Sequence, residues 1–125
     1  IGNDVEEKMV EGSKMTLEEY GIKDSTLFCE DIGNLSANIK PVDAVVTDFP
    51  YGKSTSLQGE SLTKLYTRSF RSIQTVLKPK GRAVIGSATN IVDSYVSSGL
   101  KHIYTYALRV HRSLTRYFHV FEKAP

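Results

Sequence analysis

The chain has 125 residues, of which 40% are hydrophobic and 24% are charged, as is typical of one globular domain. Cys29 is the single cysteine, which excludes an intrachain disulfide and a cysteine-rich metal site, and we predict no metal. Because this residue lies in an apolar run, we expect its thiol to be buried. No apolar stretch approaches the roughly 20 residues of a membrane span and no signal-peptide pattern is found, so we expect a cytoplasmic protein.

The two halves of the chain differ in charge. Residues 1–60 hold 5 basic and 12 acidic residues, whereas residues 61–125 hold 11 basic and 2 acidic residues, and the net charge is only +2. A basic segment in which Arg, Lys and Tyr are interleaved favours a polyanionic partner. A solvated basic surface explains the scattered charges equally well, but the clustering in the C-terminal third favours the polyanion.

A helix is predicted near the start of the chain. The first few residues resemble the end of a strand, and Asp4 with Glu7 forms a helix N-cap signature. Gly21 supplies the end of the helix. We expect its apolar stripe to face the core. The stripe consists of Val5, Met9, Val10, Leu17 and Tyr20.

Two short strands follow this helix. Residues 26–29 form the first, which ends in Glu30-Asp31, and residues 32–41 are a polar connection. Residues 43–47 form a strand that is buried on both faces. The segment Asp48-Phe49-Pro50-Tyr51-Gly52 then turns the chain, because proline and glycine stop a strand.

The second half continues the alternation of helices and strands. Residues 60–77 have the clearest helical periodicity, residues 83–85 form a buried strand, and residues 90–98 form a weaker helix. From residue 102 the period changes to two, so that residues 102–110 and 116–122 predict a hairpin. The whole pattern predicts an α/β, doubly wound and mostly parallel sheet with a C-terminal antiparallel hairpin.

Three successive strands end in a carboxylate, at Asp4, Asp31 and Asp48. The carboxyl ends of parallel strands lie at one edge of a sheet, so we expect these acids to line one crevice. One acid there can accept the hydroxyls of a ribose, and the next can accept an exocyclic amine such as that of adenine. Helix capping by Asp4 and turn capping by Asp31 are the structural alternatives.

These residues resemble a known family. Asp48-Phe49-Pro50-Tyr51 is similar to the D/N-P-P-Y/F motif of class I S-adenosylmethionine-dependent methyltransferases that methylate exocyclic amines of nucleobases. Gly2-Asn3-Asp4 and Glu30-Asp31 resemble two cofactor motifs of that fold. Together with the tail V-H-R-S-L-T-R, residues 110–116, they resemble the THUMP-domain tRNA guanine-N2 methyltransferases, which modify the guanosine at position ten of tRNA.

The resemblance implies a Rossmann-like fold, S-adenosyl-L-methionine as cofactor and tRNA as partner. It assigns catalysis to Asp48, Phe49, Pro50 and Tyr51. The Asp48 carboxylate and the Phe49 carbonyl would each accept an N–H of the guanine amine, and Tyr51 would stack on the base. The other implied site residues are a cofactor group, Asp4, Val5, Asp31 and Ile32, and an RNA-binding group, Lys53, His111, Arg112 and Arg116.

Two departures from the family pattern bear on the expected domain. Phe49 replaces the first proline of the motif, and the glycine-rich first cofactor motif does not occur in the sequence. We therefore expect residues 1–125 to be the C-terminal portion of a catalytic domain. The family's first strand and its THUMP-containing part would precede Ile1, and the strand would lie between those ending at Asp4 and Asp48.

Three alternatives remain open at this point. The first is that the protein is an adenine-N6 nucleic-acid methyltransferase that uses the same amine chemistry. The second is that it is a non-catalytic fragment or subunit that needs its N-terminal half to bind cofactor. For Arg112 and Arg116, the alternative to phosphate binding is local hydrogen bonding within the hairpin.

Overall fold

The computed structural model describes residues 1–51, 60–92 and 99–125. These residues alternate between strands and helices, as the sequence predicts. No helix among them is long and apolar enough to cross a membrane. In chain order the elements are β1 (Gly2–Asp4), α1 (Glu7–Glu19), β2 (Leu27–Cys29), a 3₁₀ turn (Ile32–Asn34), α2 (Leu35–Asn38), β3 (Val42–Asp48), α3 (Leu62–Val76), β4 (Leu77–Ser87), β5 (Leu100–His111) and β6 (Leu114–Lys123).

The strands form two sheets within the described residues. β1 and β2 pair in parallel, and a separate four-stranded sheet has the order β3-β4-β6-β5. β3 pairs in parallel with β4, whereas β6 runs antiparallel to both β4 and β5. The predicted α/β fold with a C-terminal antiparallel hairpin is confirmed. β5 therefore runs parallel to β4, and its end reaches the same sheet edge as the end of β3.

One face of the four-stranded sheet is covered by α3. The helix begins after Ser61, whose hydroxyl accepts the Lys64 N–H at 3.3 Å. Phe70 and Ile73 of the helix are fully buried against the sheet, and the Phe70 ring meets the ring of Phe121 edge-on with centroids 5.5 Å apart. This packing is the main core of the described residues.

The opposite face of the four-stranded sheet is open among the described residues. Val46 in β3 is 79% exposed, and Tyr104, Tyr106 and Leu108 in β5 are more than half exposed. Across the paired strands Val46 lies in the same row as Val120, and Tyr106 pairs with Phe118. The side chains of Val46 and Tyr106 therefore lie on one face of the sheet. Among residues 1–51, 60–92 and 99–125, no element covers the apolar surface of this sheet opposite α3.

The structure corrects the sequence analysis at the start of the chain. Asp4 is not the cap of α1: the N-cap residue is Glu6, and Asp4 instead accepts the Glu6 N–H at 2.8 Å. Of the apolar stripe on α1, only Val10 is buried. The Cys29 thiol is exposed and donates to the Val5 carbonyl at 3.6 Å. The burial predictions for α1 and Cys29 fail because β1 and β2 form too small a sheet to enclose these side chains. The prediction that residues 43–47 are buried on both faces is also wrong, since Val46 is 79% exposed.

Two boundaries also differ from the prediction. The predicted connection at residues 32–41 contains the 3₁₀ turn and α2. β4 begins directly after α3 and is longer than the predicted strand at residues 83–85. Lys80 takes a positive φ of 62°, which lets the chain bulge before regular pairing with β3 resumes at Arg82. The helix predicted at 90–98 lies largely outside the described residues.

Candidate active site

The three strand-end carboxylates meet at one cavity. Its volume is about 410 Å³, and Asp4, Asp31 and Asp48 all line it. The cavity lies between the two sheets, with apolar walls from Ile32 and Leu65. A volume above about 300 Å³ is in the range of small-molecule sites. The grouping that the parallel topology predicts is therefore present.

Asp48 is the last residue of β3, and its carboxylate is held from two sides. Arg116 Nη2 in β6 lies 2.8 Å from Asp48 Oδ2, and the Tyr51 hydroxyl donates to Asp48 Oδ1 at 3.2 Å. The Asp48 side chain is 53% exposed and the Arg116 side chain 31%. The carboxylate thus faces the cavity and solvent, not the core.

Gly86 in β4 forms the floor beneath this carboxylate. Its carbonyl accepts the Phe49 N–H at 2.8 Å, which extends the pairing of β3 with β4 by one residue. A Cβ atom at position 86 would lie only 2.5 Å from Asp48 Oδ1. The absence of a side chain at Gly86 therefore makes room for Asp48.

Phe49 and Pro50 are anchored to α3. The Phe49 ring is buried, with its centroid 4.8 Å from that of Tyr66 and 5.6 Å from that of Phe70. The Tyr66 hydroxyl donates to the Pro50 carbonyl. The side chain of Phe49 thus belongs to the core. Only the backbone of this residue is therefore available to contact a ligand at the site.

Tyr51 completes the Asp48 cluster. Burial raises the pKa of the Tyr51 phenol above its usual value, the negative charge of Asp48 adds to this, and a hydrogen bond with Arg116 opposes it. The phenol is therefore a proton donor near neutral pH. Asp48, Tyr51 and Arg116 form one connected group in which the carboxylate accepts and both neighbours donate.

Asp31 is held by an arginine that sequence reasoning missed. Both Arg68 terminal nitrogens contact the Asp31 carboxylate, Nη2 at 2.8 Å from Oδ2, and the same side chain binds Glu60 at 2.7 Å. The Gly33 N–H also donates to Asp31 Oδ1 at 2.8 Å. The Arg68 guanidinium is the main reason that the pKa of Asp31 lies below its usual range.

The other predicted cofactor residues lie nearby. Asp4, Val5 and Ile32 all line the cavity. The carboxyl ends of β1 and β2 are joined by Asn3, whose amide donates to the Glu30 carbonyl at 3.1 Å and accepts the Glu30 N–H at 3.2 Å. These bonds hold the two strand ends in register beside the cavity.

The predicted RNA-binding residues do not form one cluster among the described residues. His111 and Arg112 are exposed at the turn of the β5-β6 hairpin, and His111 Nδ1 accepts the Ser113 N–H at 3.2 Å, which is a local bond within the turn. Arg116 contacts Asp48 instead of standing free. Lys53 lies outside the described residues.

Arg68, Glu60, Gly86 and Tyr66 were not predicted as site residues. Leu65 and Arg68 line the cavity together, and their spacing of three residues on α3 is the one signal that could have placed Arg68 there. Its partner Asp31 is 37 residues away. No local pattern indicates that contact.

The sequence is similar to a known family and to curated relatives. The sequence model of the family described as "RMKL-like, methyltransferase domain" matches residues 1–117. The chain is 37% identical over 123 residues to the tRNA (guanine(10)-N2)-dimethyltransferase of Pyrococcus abyssi, covering 97% of this chain and 37% of the relative. It is 36% identical to the protein of the same name from Methanothermobacter thermautotrophicus, covering 98% and 37%. The chain thus spans about 37% of the length of these curated relatives.

Solved structures share the fold. TrmN from Thermus thermophilus superposes with a TM-score of 0.83 at 19% identity, covering 97% of this chain and 35% of TrmN. The N-methyltransferase NodS from Bradyrhizobium japonicum, in complex with S-adenosyl-L-homocysteine, superposes with a TM-score of 0.77 at 15% identity, covering 98% and 65%. At these identities the likeness establishes the fold, which confirms the predicted Rossmann-like architecture.

Proposed function

Because this chain belongs to the RMKL-like methyltransferase domain family, we propose that it carries the amine-binding site of an S-adenosylmethionine-dependent tRNA methyltransferase. The reaction is transfer of a methyl group to the exocyclic N2 amine of a guanosine, at position ten of tRNA in the cytoplasm. The observation that carries the proposal is the half-exposed Asp48 carboxylate at the end of β3, which shares one cavity with Asp4 and Asp31. The names of the curated relatives support guanine N2 as the target.

The cavity fits the nucleoside end of the cofactor. Asp4 supplies a carboxylate that can accept ribose hydroxyls, and Asp31 supplies one that can accept the adenine amine. Ile32 and Leu65 supply apolar walls for a flat base. Val5, beside Asp4, also lines the cavity. When bound, S-adenosylmethionine would supply a methyl group on a positively charged sulfur.

Asp48 and the Phe49 backbone would prepare the amine. The lone pair of a guanine amine is delocalised into the ring, which makes the amine a poor nucleophile. Two acceptors, the Asp48 carboxylate and the Phe49 carbonyl, can each take one of its N–H groups and so localise and orient that lone pair. The Asp48 charge also offsets the positive charge that develops on nitrogen.

Tyr51 and the hairpin would hold the RNA. A base taken out of its stack costs a few kcal/mol, and stacking on an aromatic ring such as that of Tyr51 returns about 1–3 kcal/mol. His111 and Arg112, at the hairpin turn, stand at the same sheet edge as Asp48, where their charge can meet phosphates. We assign Lys53 to the same group on its place in the sequence.

We also infer that residues 1–125 are the C-terminal portion of a catalytic domain. Two observations support this: β1 and β3 belong to separate sheets on either side of the cavity, and the sheet face containing Val46 and Tyr106 is apolar and exposed. A further strand between β1 and β3, and further helices on the open face, would be contributed by the longer protein. A THUMP-containing RNA-binding part would belong to that same longer chain.

The test is methyl transfer by the full-length protein. Purified protein with labelled S-adenosylmethionine should methylate tRNA, and mass spectrometry of the nucleosides should show N2-methylguanosine at position ten. Asp48→Asn should lower kcat by at least about 10²-fold, since an amide replaces the charged acceptor, while cofactor affinity stays within about twofold because Asp4 and Asp31 remain. N6-methyladenosine as the product would instead support the adenine enzyme. Absence of methylation by the unmodified protein would refute the proposal.

A further inference from the structure

We propose that Arg116 is a positioning residue that sets the orientation of the Asp48 carboxylate for the amine. This inference deepens the proposed function and rests on it. It assigns the arginine a role different from phosphate binding. The contact that carries it is the 2.8 Å bond between Arg116 Nη2 and Asp48 Oδ2, which joins β6 to the end of β3.

The geometry of Asp48 leaves it few ways to move. Oδ2 accepts from Arg116, Oδ1 accepts from Tyr51 at 3.2 Å, and the backbone of Gly86 lies directly below Oδ1. A carboxylate has about four acceptor directions, so these two bonds leave about two directions, one of which can take an N–H of an incoming amine. Without Arg116, the carboxylate would keep only the bond from Tyr51 at 3.2 Å, and the position of Oδ2 would no longer be fixed.

The surroundings of the Arg116 guanidinium favour its contact with Asp48. The Arg116 carbon Cζ lies 5.0 Å from the centre of the Phe118 ring, which supports the flat group from one side. Its Nε atom is buried and finds no hydrogen-bond acceptor among residues 1–51, 60–92 and 99–125. A buried donor left without a partner is costly. The ion pair from Nη2 to Asp48 Oδ2, at 2.8 Å, is the contact that holds this side chain at the end of β3.

A phosphate-binding arginine would be placed differently. Arg112, four residues earlier, is exposed at the hairpin turn, with its charge available to RNA. Arg116 is 31% exposed and is already paired with a carboxylate, so a phosphate would have to compete with Asp48. In this proposal the two arginines of the hairpin have different roles. Arg112 at the turn contacts RNA, and Arg116 at the start of β6 orients Asp48.

The experiment compares arginine variants of the full-length protein. Arg116→Ala should lower kcat for tRNA methylation by about 10²-fold, the usual effect of a misplaced reacting group, with tRNA affinity changed less than about threefold. Arg116→Lys keeps the charge but loses the planar guanidinium. Its kcat should be about a tenth of that of the unmodified protein, and so about tenfold above that of Arg116→Ala. Free guanidinium ion added to Arg116→Ala should restore part of kcat. The control Arg71→Ala removes an exposed arginine of α3 and should leave both values unchanged.

A second measurement needs no methyl transfer. The bond from Arg116 lowers the pKa of Tyr51, and Asp48 raises it, so Arg116→Ala should raise the Tyr51 pKa further in an NMR titration of its labelled ring. If unmodified protein does not methylate tRNA, the proposed function fails, whereas the titration still tests the Arg116 contact. A loss of tRNA affinity without a loss of kcat, or an unchanged Tyr51 titration, would overturn the assignment of Arg116.

Discussion

The close approach of Gly86 to Asp48 gives a prediction whose size follows from one distance. In Gly86→Ala the new methyl group would lie 2.5 Å from Asp48 Oδ1, whereas non-bonded atoms rest about 3.5 Å apart. The carboxylate must therefore retreat by about 1 Å. β4 cannot move instead, because it is paired with β3 on one side and with β6 on the other.

A retreat of this size would break the Asp48 cluster with little cost to folding. The bonds to Arg116 and Tyr51 would be lost or lengthened, and a displacement of about 1 Å at a reacting group lowers the rate by about 10²-fold, or about 2.7 kcal/mol in the barrier. Asp48 is 53% exposed, so its side chain can swing into solvent. The free energy of unfolding should fall by about 1 kcal/mol or less, the lower end of the range for overpacking.

The assay measures kcat for tRNA methylation and the thermal midpoint on the same preparations of the full-length protein. Gly12→Ala is the matched control: a Cβ at Gly12, in α1, has no atom within 4 Å, so activity should not change and the helix should gain about 0.5–1 kcal/mol. Full activity in Gly86→Ala would refute the idea that the position of Asp48 matters. An activity loss that merely follows a large loss of stability would do the same.

Two further predictions concern charge. Arg112→Ala should weaken tRNA binding and reduce the slope of log K against log salt by about 0.7–0.9, the value for one lost phosphate contact; an unchanged slope would return Arg112 to a structural role. His119 is fully buried, and burial lowers its pKa, so the unfolded chain binds a proton there more readily than the folded one. The contribution of neutral His119 to the free energy of unfolding should therefore be fully present above about pH 6.5 and decrease as the pH falls below that value. The decline should be smaller in His119→Gln, measured by thermal unfolding at a series of pH values.

The sequence predicted the fold well where a local pattern determines an element. The periodicity of α3, the apolar run of β3 and the alternation in β5 and β6 each fix one element without help from distant residues. The convergence of Asp4, Asp31 and Asp48 followed from topology alone, because parallel strands place their carboxyl ends at one edge.

The contacts that were not predicted, and the burial predictions that failed, both depend on residues distant in the sequence. Arg116 reaches Asp48 across 68 residues, and this requires that β6 lie next to β4, an order that the alternation of elements does not specify. Cys29 and Met9 occur in apolar patterns but are exposed. Pattern predicts which side of an element is apolar, whereas burial depends on whether another element covers that side.

The orientation of Asp48 is thus a property of three strands and not of the D-F-P-Y segment alone. β3 delivers the carboxylate, Gly86 of β4 leaves the space for it, and Arg116 of β6 fixes its rotation. The Phe49 ring, buried beside Tyr66, ties the backbone carbonyl of the same segment to α3. Under the proposed function, a motif of four residues moved into another loop would therefore lose its activity, because its neighbours in the sheet set the positions of its acceptor atoms.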